Sequence, residues 1–316
     1  MKPKMTFFTF ISAYRIVYAI PFVLASLTGV VRGYFSTLDT ALCLLVLWLV
    51  FWLAMFVNLS NDYFDHLSGA DRERFTMEDE KKKYIYEKVL NAKVYWQGNL
   101  FDLGYLSKKQ GRLLLGSILL IILVSAYPLF IARGSIVLVL GIAGLLLSYF
   151  YTAPPLNLGA NGFGELTVLV SFFMMSYFSA FVIMGFHRGE MFIFSIAVGV
   201  TGFLMRLADE MTGYEAHKAS LEKDLSVRMG IPMTINLIQA LLGLLYSLFI
   251  FNAIYFKEWK LILPILTFPN AIQIFSIYRK NQDEFRVLRA VPQMLKLSIG
   301  TSLLIFITWL AVFLLP

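Results

Sequence analysis

The chain has 316 residues, 59% of them hydrophobic and only 15% charged, where soluble domains average roughly 45–50% apolar and 25% charged. That composition disfavours a soluble fold, and the single cysteine, Cys43, excludes an internal disulfide and any multi-cysteine metal cluster. The formal charge of +7 would suit a nucleic-acid partner, but the basic residues follow a membrane topology and require none.

Apolar stretches long enough for a bilayer-spanning helix, about 20 residues, recur along the whole sequence. They predict spans near 8–31, 39–61, 112–132, 134–151, 164–187, 190–210, 231–253, 260–279 and 292–315, nine in all. The first has no small-residue cleavage pattern after a short apolar run and is read as a retained span, not a signal peptide. The spans flanking Arg133 and Arg188 are so close that each pair reads as a tight helical hairpin. With the N-terminus inside, the outer loops hold Arg32, Arg133, Arg188, Lys257 and Lys260. That leaves 22 of the 27 Lys and Arg residues inside (27 minus 5), the bias of the positive-inside rule. The expectation is a multi-pass, all-α protein of the cell membrane with a cytoplasmic N-terminus. It would form a single domain, 1–316, with acidic motifs at 58–72 and 206–230.

Chemistry concentrates in two inner loops. In Asn58-Leu-Ser-Asn61-Asp62-Tyr-Phe-Asp65, a helix continuing past residue 61 would place Asn58, Asp62 and Asp65 at i, i+4 and i+7 on one face. Gly69 would then release the chain towards Asp71 and Arg72. Carboxylates beside a carboxamide are hard oxygen ligands that suit Mg²⁺, an ion typically held by one or two carboxylates plus substrate phosphates. The second loop carries Arg206, Asp209, Glu210, Gly213, Glu215, His217 and Lys218, followed by Glu222, Asp224 and Arg228. Two acidic clusters on one side of the membrane could share divalent ions around one diphosphate. Between them Tyr149-Phe-Tyr151-Thr152-Ala-Pro-Pro155 ends an apolar span at a double proline that breaks the helix. Aromatic residues make up 16% of the chain, and rings lining a pocket would stabilise a carbocation. The three histidines are isolated, and no phosphate-cradling Gly-x-x-x-x-Gly-Lys loop or Gly-x-Ser-x-Gly elbow is present.

The stretch Asn58 to Asp71, the segment Tyr149 to Pro155 with Gly162-Phe-Gly164-Glu165 after it, and Leu225-Ser-Val-Arg228-Met-Gly230 resemble motifs of the UbiA superfamily of intramembrane aromatic prenyltransferases. The likeness looks nearest to the branch that prenylates 1,4-dihydroxy-2-naphthoate in menaquinone biosynthesis. It implies nine helices around a central cavity, and polyprenyl transfer from a diphosphate donor to an aromatic quinone precursor with Mg²⁺ as cofactor. The partners it implies are the polyprenyl diphosphate, the acceptor and membrane lipid. Carried over by position, it implies Asn58, Asp62, Asp65, Asp71, Asp209 and Glu215 around the metal, with Asp62, Asp65 and Tyr151 in the chemistry. Arg72 and Lys218 would contact the diphosphate, and Tyr151 and Thr152 the reacting end of the isoprenoid. Related members carry aspartates where this chain has Gly213 and His217. The alternatives are transfer to a glycerol-phosphate lipid, a secondary transporter whose acids bind coupling cations, and a member that binds isoprenoid lipid without catalysis.

Overall fold

A computed structural model describes residues 16–69, 99–102, 104–219, 223–280 and 284–315, and among these every regular element is helical. In chain order they are α1 (Ile16–Thr37), α2 (Thr40–Ser68), α3 (Lys108–Arg133), α4 (Ser135–Phe150), α5 (Gly164–Met184), α6 (Gly189–Thr212), α7 (Tyr214–Ala219) and α8 (Leu225–Met229), then α9 (Ile231–Tyr255), α10 (Phe268–Lys280) and α11 (Glu284–Leu314). A π-helical turn, Gly159–Phe163, precedes α5, and a 3-10 segment, Trp259–Thr267, precedes α10. Among the described residues, eight segments are long and apolar enough to cross a bilayer. The remaining expected span, α4, has 16 residues, about 24 Å of helix against a hydrocarbon core of roughly 30 Å.

The boundaries follow local chemistry. Asp39 caps α2, its side chain accepting the Leu42 N–H at 2.9 Å. Ser107 and Gln110 form a reciprocal capping box on α3. The two hairpins expected around Arg133 and Arg188 turn at Gly134 and Gly185, whose φ angles of 73° and 81° disfavour a side chain. The span expected at 260–279 is instead divided, its first part wound as the 3-10 segment containing Pro264, which has no N–H for an α-helical bond. Helix α11 starts before its expected boundary at 292 and carries Pro292 within it.

Helices α1, α5, α6 and α11 form the buried centre, with α9 against α6 and α2 against α1. A Cβ on Gly29 would lie 2.0 Å from the Ser176 carbonyl oxygen, so glycine is what lets α1 and α5 touch. Hydrogen bonds reinforce this seam: Ser26 with Ser179 at 2.7 Å, Thr28 with Ser176 at 2.7 Å, and Ser195 to Ser176 at 3.0 Å. At the end of the bundle opposite the acidic motifs, Arg32 pairs with Glu190 at 3.0 Å while lying over the Trp309 and Phe313 rings. Arg133 donates to the Val182 and Ile183 carbonyls that close α5. The hairpin of α3 and α4 packs at the periphery, and Val137 is the one buried residue of α4.

Candidate functional site

Helix α2 runs beyond its expected end at 61 because nothing breaks it before Gly69, which caps it with a left-handed φ of 79°. Asn58, Asp62 and Asp65 therefore do share one helical face. Asp62 is 1% exposed, and Asn58 and Asp65 are half-buried. The segment around residue 100 clasps this helix end. Asn99 Nδ2 donates to the Asp62 carbonyl at 2.6 Å, and His66 Nδ1 lies 2.6 Å from Asp102 Oδ1. The His66 ring also stacks on Phe101. Asp71 and Arg72 lie outside the described residues.

The second grouping is built where four pieces of chain meet. Glu165 enters from the first turn of α5, Glu210 from the last turn of α6, and Asp224 caps α8. Their exposures are 1%, 0% and 1%, and one oxygen from each lies within 4.8 Å of the others. Glu165 Oε1 accepts the Leu225 N–H at 2.5 Å. Lys223 N–H donates to the Ala160 carbonyl at 3.0 Å, which ties the loop before α8 to the turn before α5. Asp224 Oδ1 accepts from Ser226 Oγ at 2.7 Å and from the Val227 N–H at 2.8 Å, and Oδ2 lies 2.6 Å from His217 Nδ1. Burial alone would push the Asp224 carboxyl up, but the bonds from His217, Ser226 and Val227 outweigh it and hold it below its ordinary value. Arg206 supplies the nearby fixed cation, its Nε 2.6 Å from Glu210 Oε1.

Tyr151 joins this grouping from the end of α4, its ring 6.0 Å from the Arg206 guanidinium. Its side chain is half-buried, and a phenol is neutral at physiological pH. Two residues earlier, Tyr149 packs edge-on against Phe64 of α2 with centroids 5.4 Å apart. The end of α4 thus contacts both acidic stretches. Thr152 follows, its hydroxyl without a hydrogen-bond partner. Asp209 is 51% exposed by side chain and sits on the outer side of the same arginine, its Oδ2 3.5 Å from Arg206 Nη1. Glu215 and Lys218 are exposed on α7, the Lys218 ammonium 5.8 Å from the Tyr214 ring centre. Sequence reading placed neither Glu165 nor Asp224 among the ligands. The signals they carry are an acid opening an apolar span and an Asp-Leu-Ser N-cap.

Between α2, α3, α4 and α5 lies a cavity of about 190 Å³, lined by Val46, Leu53, Ile122, Ser148, Met174, Phe178 and other aliphatic residues. Phe178 is its one aromatic residue, so this chamber is aliphatic where the composition favoured an aromatic lining. Its inner end adjoins the site: Ser148 precedes Tyr151, and Leu53 precedes Asn58, by roughly 4.5 and 7.5 Å of helix rise.

Fold and site together define a multi-helix membrane protein that gathers carboxylates and a half-buried arginine at one end of an apolar bundle. Solved structures with a similar fold include UbiA homologues. One from Archaeoglobus fulgidus, bound to GPP and Mg²⁺, superposes with a TM-score of 0.69 at 15% identity, covering 97% of this chain and 99% of its own. The same homologue bound to DMAPP and Mg²⁺ gives 0.68 at 16% identity and the same coverage. A digeranylgeranylglyceryl phosphate synthase gives 0.59 at 15% identity, covering 95% and 97%. No protein-family model matches the sequence, and no curated protein sequence matches it.

Proposed function

We propose that this chain transfers an isoprenoid group from its diphosphate to an acceptor inside the membrane, with Mg²⁺ as cofactor. The observation that carries this reading is that the end of α4 touches both acid-bearing helix ends, Phe64 of α2 through Tyr149 and Arg206 of α6 through Tyr151, beside an apolar cavity. The same fold in the Archaeoglobus homologue holds GPP or DMAPP with Mg²⁺.

The α2 face fits a hard divalent ion, because Asn58, Asp62 and Asp65 present a carboxamide and two carboxylates on one side of a clasped helix. Those residues would hold Mg²⁺. When bound, the ion neutralises charge on the departing diphosphate. The allylic C–O bond breaks with its electron pair leaving on the diphosphate, the acceptor bonds to the allylic carbon, and the proton it displaces leaves with solvent or diphosphate. Lys218 and Arg72 supply cations towards the leaving group, while Tyr151 and Thr152 face the allylic end. Tyr151, neutral and partly buried, offers its ring to the positive carbon. The aliphatic chamber holds the isoprenoid chain and keeps water from the cation.

For the acceptor we favour an aromatic quinone precursor of the 1,4-dihydroxy-2-naphthoate kind, on the residues that resemble the menaquinone branch. Placement at the cell membrane with the N-terminus inside follows from the distribution of basic residues. A secondary transporter would need its acids near the middle of the membrane, whereas here they gather at helix ends. The test is purified protein with geranyl diphosphate, Mg²⁺ and a panel of naphthoate, benzoate and glycerol-phosphate acceptors, read by product mass. Asp62→Asn should lower kcat by roughly 10²–10³, the usual cost of removing one charge-stabilising group. No product with any acceptor, or full activity in that variant, would refute the proposal.

A further inference from the structure

We propose that Glu165, Glu210 and Asp224 form a divalent-cation site of their own, one that fills without any isoprenoid diphosphate. Three carboxylates with oxygens within 4.8 Å of one another repel strongly, and at 1%, 0% and 1% exposure water does not screen them. Arg206 compensates only one charge. Asp224 has both oxygens engaged by His217, Ser226 and Val227, and Glu165 Oε1 is engaged by Leu225. Glu165 Oε2 and Glu210 Oε2, by contrast, have no hydrogen-bond partner although both residues are fully buried. Ionised carboxylates are acceptors only, and the Glu165 and Glu210 carboxyls lie within hydrogen-bond reach of each other, so the pair needs either a shared proton or a cation. Leaving such groups buried and unmatched costs several kcal/mol per ion. A divalent ion supplies the missing positive charge and takes oxygen ligands of this type.

The position makes chemical sense for this chain. Here His217 is turned onto Asp224 as an orienting partner, and the available carboxylates lie deeper, on α5, α6 and the α8 cap. An ion at that point would lock the turn at Ala160 and the loop at Lys223 onto the end of α6, fixing Arg206 and through it Tyr151. The ion's purpose rests on the prenyl-transfer reading; its binding does not.

The experiment is Mn²⁺ titration of chelator-stripped protein in detergent, with no donor present, followed by electron paramagnetic resonance. Wild type should take up one tight equivalent and melt at higher temperature with it. Glu165→Gln, whose amide oxygen still accepts from Leu225, should weaken that equivalent by more than the roughly 10–100-fold that outer-shell partners cost. Asp224→Asn serves as the second variant, and Asp65→Asn should leave the equivalent intact. Absence of a tight donor-free equivalent in folded wild type, the result if a shared proton neutralises the cluster, would overturn the inference. So would equal binding in both cluster variants. Tight binding without prenyl transfer to any acceptor would instead sink the proposed activity alone.

Discussion

Replacing Gly162 by alanine tests how the second acidic grouping is held. Gly162 has a φ of 86°, and a Cβ there would lie 2.6 Å from the Lys223 carbonyl oxygen and 3.0 Å from Arg228 Nη1. The left-handed conformation costs a non-glycine residue about 1–2 kcal/mol. Arg228 can swing aside, but the Lys223 carbonyl is backbone and must retreat with its loop. That retreat pulls on the Lys223 to Ala160 hydrogen bond, worth about 1 kcal/mol, and on the Leu225 N–H bond to the Glu165 carboxylate, worth about 1.5–3 kcal/mol. Together the expected loss is about 4 kcal/mol, concentrated where Glu165 meets Asp224. Thermal unfolding in detergent should show a clear drop, and turnover should fall with it. Gly141→Ala is the control: its Cβ would meet nothing within 4 Å, and alanine within a helix is favoured over glycine by about 1 kcal/mol. If Gly162→Ala melted with wild type while Gly141→Ala behaved as expected, the loop contact would not be what assembles the site.

Arg206→Met should destabilise by about 3–5 kcal/mol, because it strands the buried Glu210 carboxylate. Glu210→Gln should cost less, because Arg206 is only partly buried and keeps Asp209 at 3.5 Å, and because one of three crowded acids is removed. The double variant should cost less than their sum, by 0.5–3 kcal/mol; additive melting shifts would show that the pair is not coupled. The Asp224 carboxyl is held below its ordinary value of 3.8. Its contribution is therefore fully present above that value and is lost as pH falls through the lower folded one. A melting profile from pH 6 to 2 should show this loss in wild type and not in Asp224→Asn, and superimposable profiles would contradict the assignment. Gly144 lines the aliphatic chamber with open space beside it. Gly144→Phe should raise KM for a long-chain donor by roughly 5–150-fold, the equivalent of 1–3 kcal/mol of overpacking. The five-carbon donor should be unaffected, and equal effects on both would place the chain elsewhere.

Much of this architecture could be read from residue order, because a bilayer span is marked by a single strong signal, an apolar run of about 20 residues. The hairpins at Arg133 and Arg188 follow from spacing alone, and the helical continuation to Gly69 follows from the absence of any breaker before it. The α2 acids were legible for the same reason: a regular helix converts i, i+4 and i+7 into one face. Glu165 and Asp224 were not. Their meeting depends on a π-helical turn, a left-handed Gly162 and a loop bond from Lys223 to Ala160, none of which has a period. His217 was likewise unreadable as a partner of Asp224, since the chain between them gives no geometric rule for the contact. Exposed Glu215 matches the spacing of a ligand, yet spacing says nothing about which way the short helix α7 faces.

The site also lies across a mechanical boundary. Arg206, Glu210 and Glu165 belong to α5 and α6, which are pinned to α1 and α11 by glycine contacts and hydroxyl pairs. Tyr151 and Thr152 follow directly on α4, which has one buried residue and falls short of a full span. A helix with so little packing cannot take its position from the core. It takes it from its ends: the Gly134 turn on one side, and on the other the Phe64 to Tyr149 and Arg206 to Tyr151 contacts. The aliphatic chamber opens along this same loosely held helix. The rigid half therefore fixes the charges, while the lightly packed half carries the residues expected to meet the isoprenoid and borders its chamber. Small shifts of α4 would change access to the chamber, and they reach the carboxylates along two routes, the Tyr151 ring beside Arg206 and the Gly159 N–H bond to the Tyr151 carbonyl at 2.9 Å, which leads into α5.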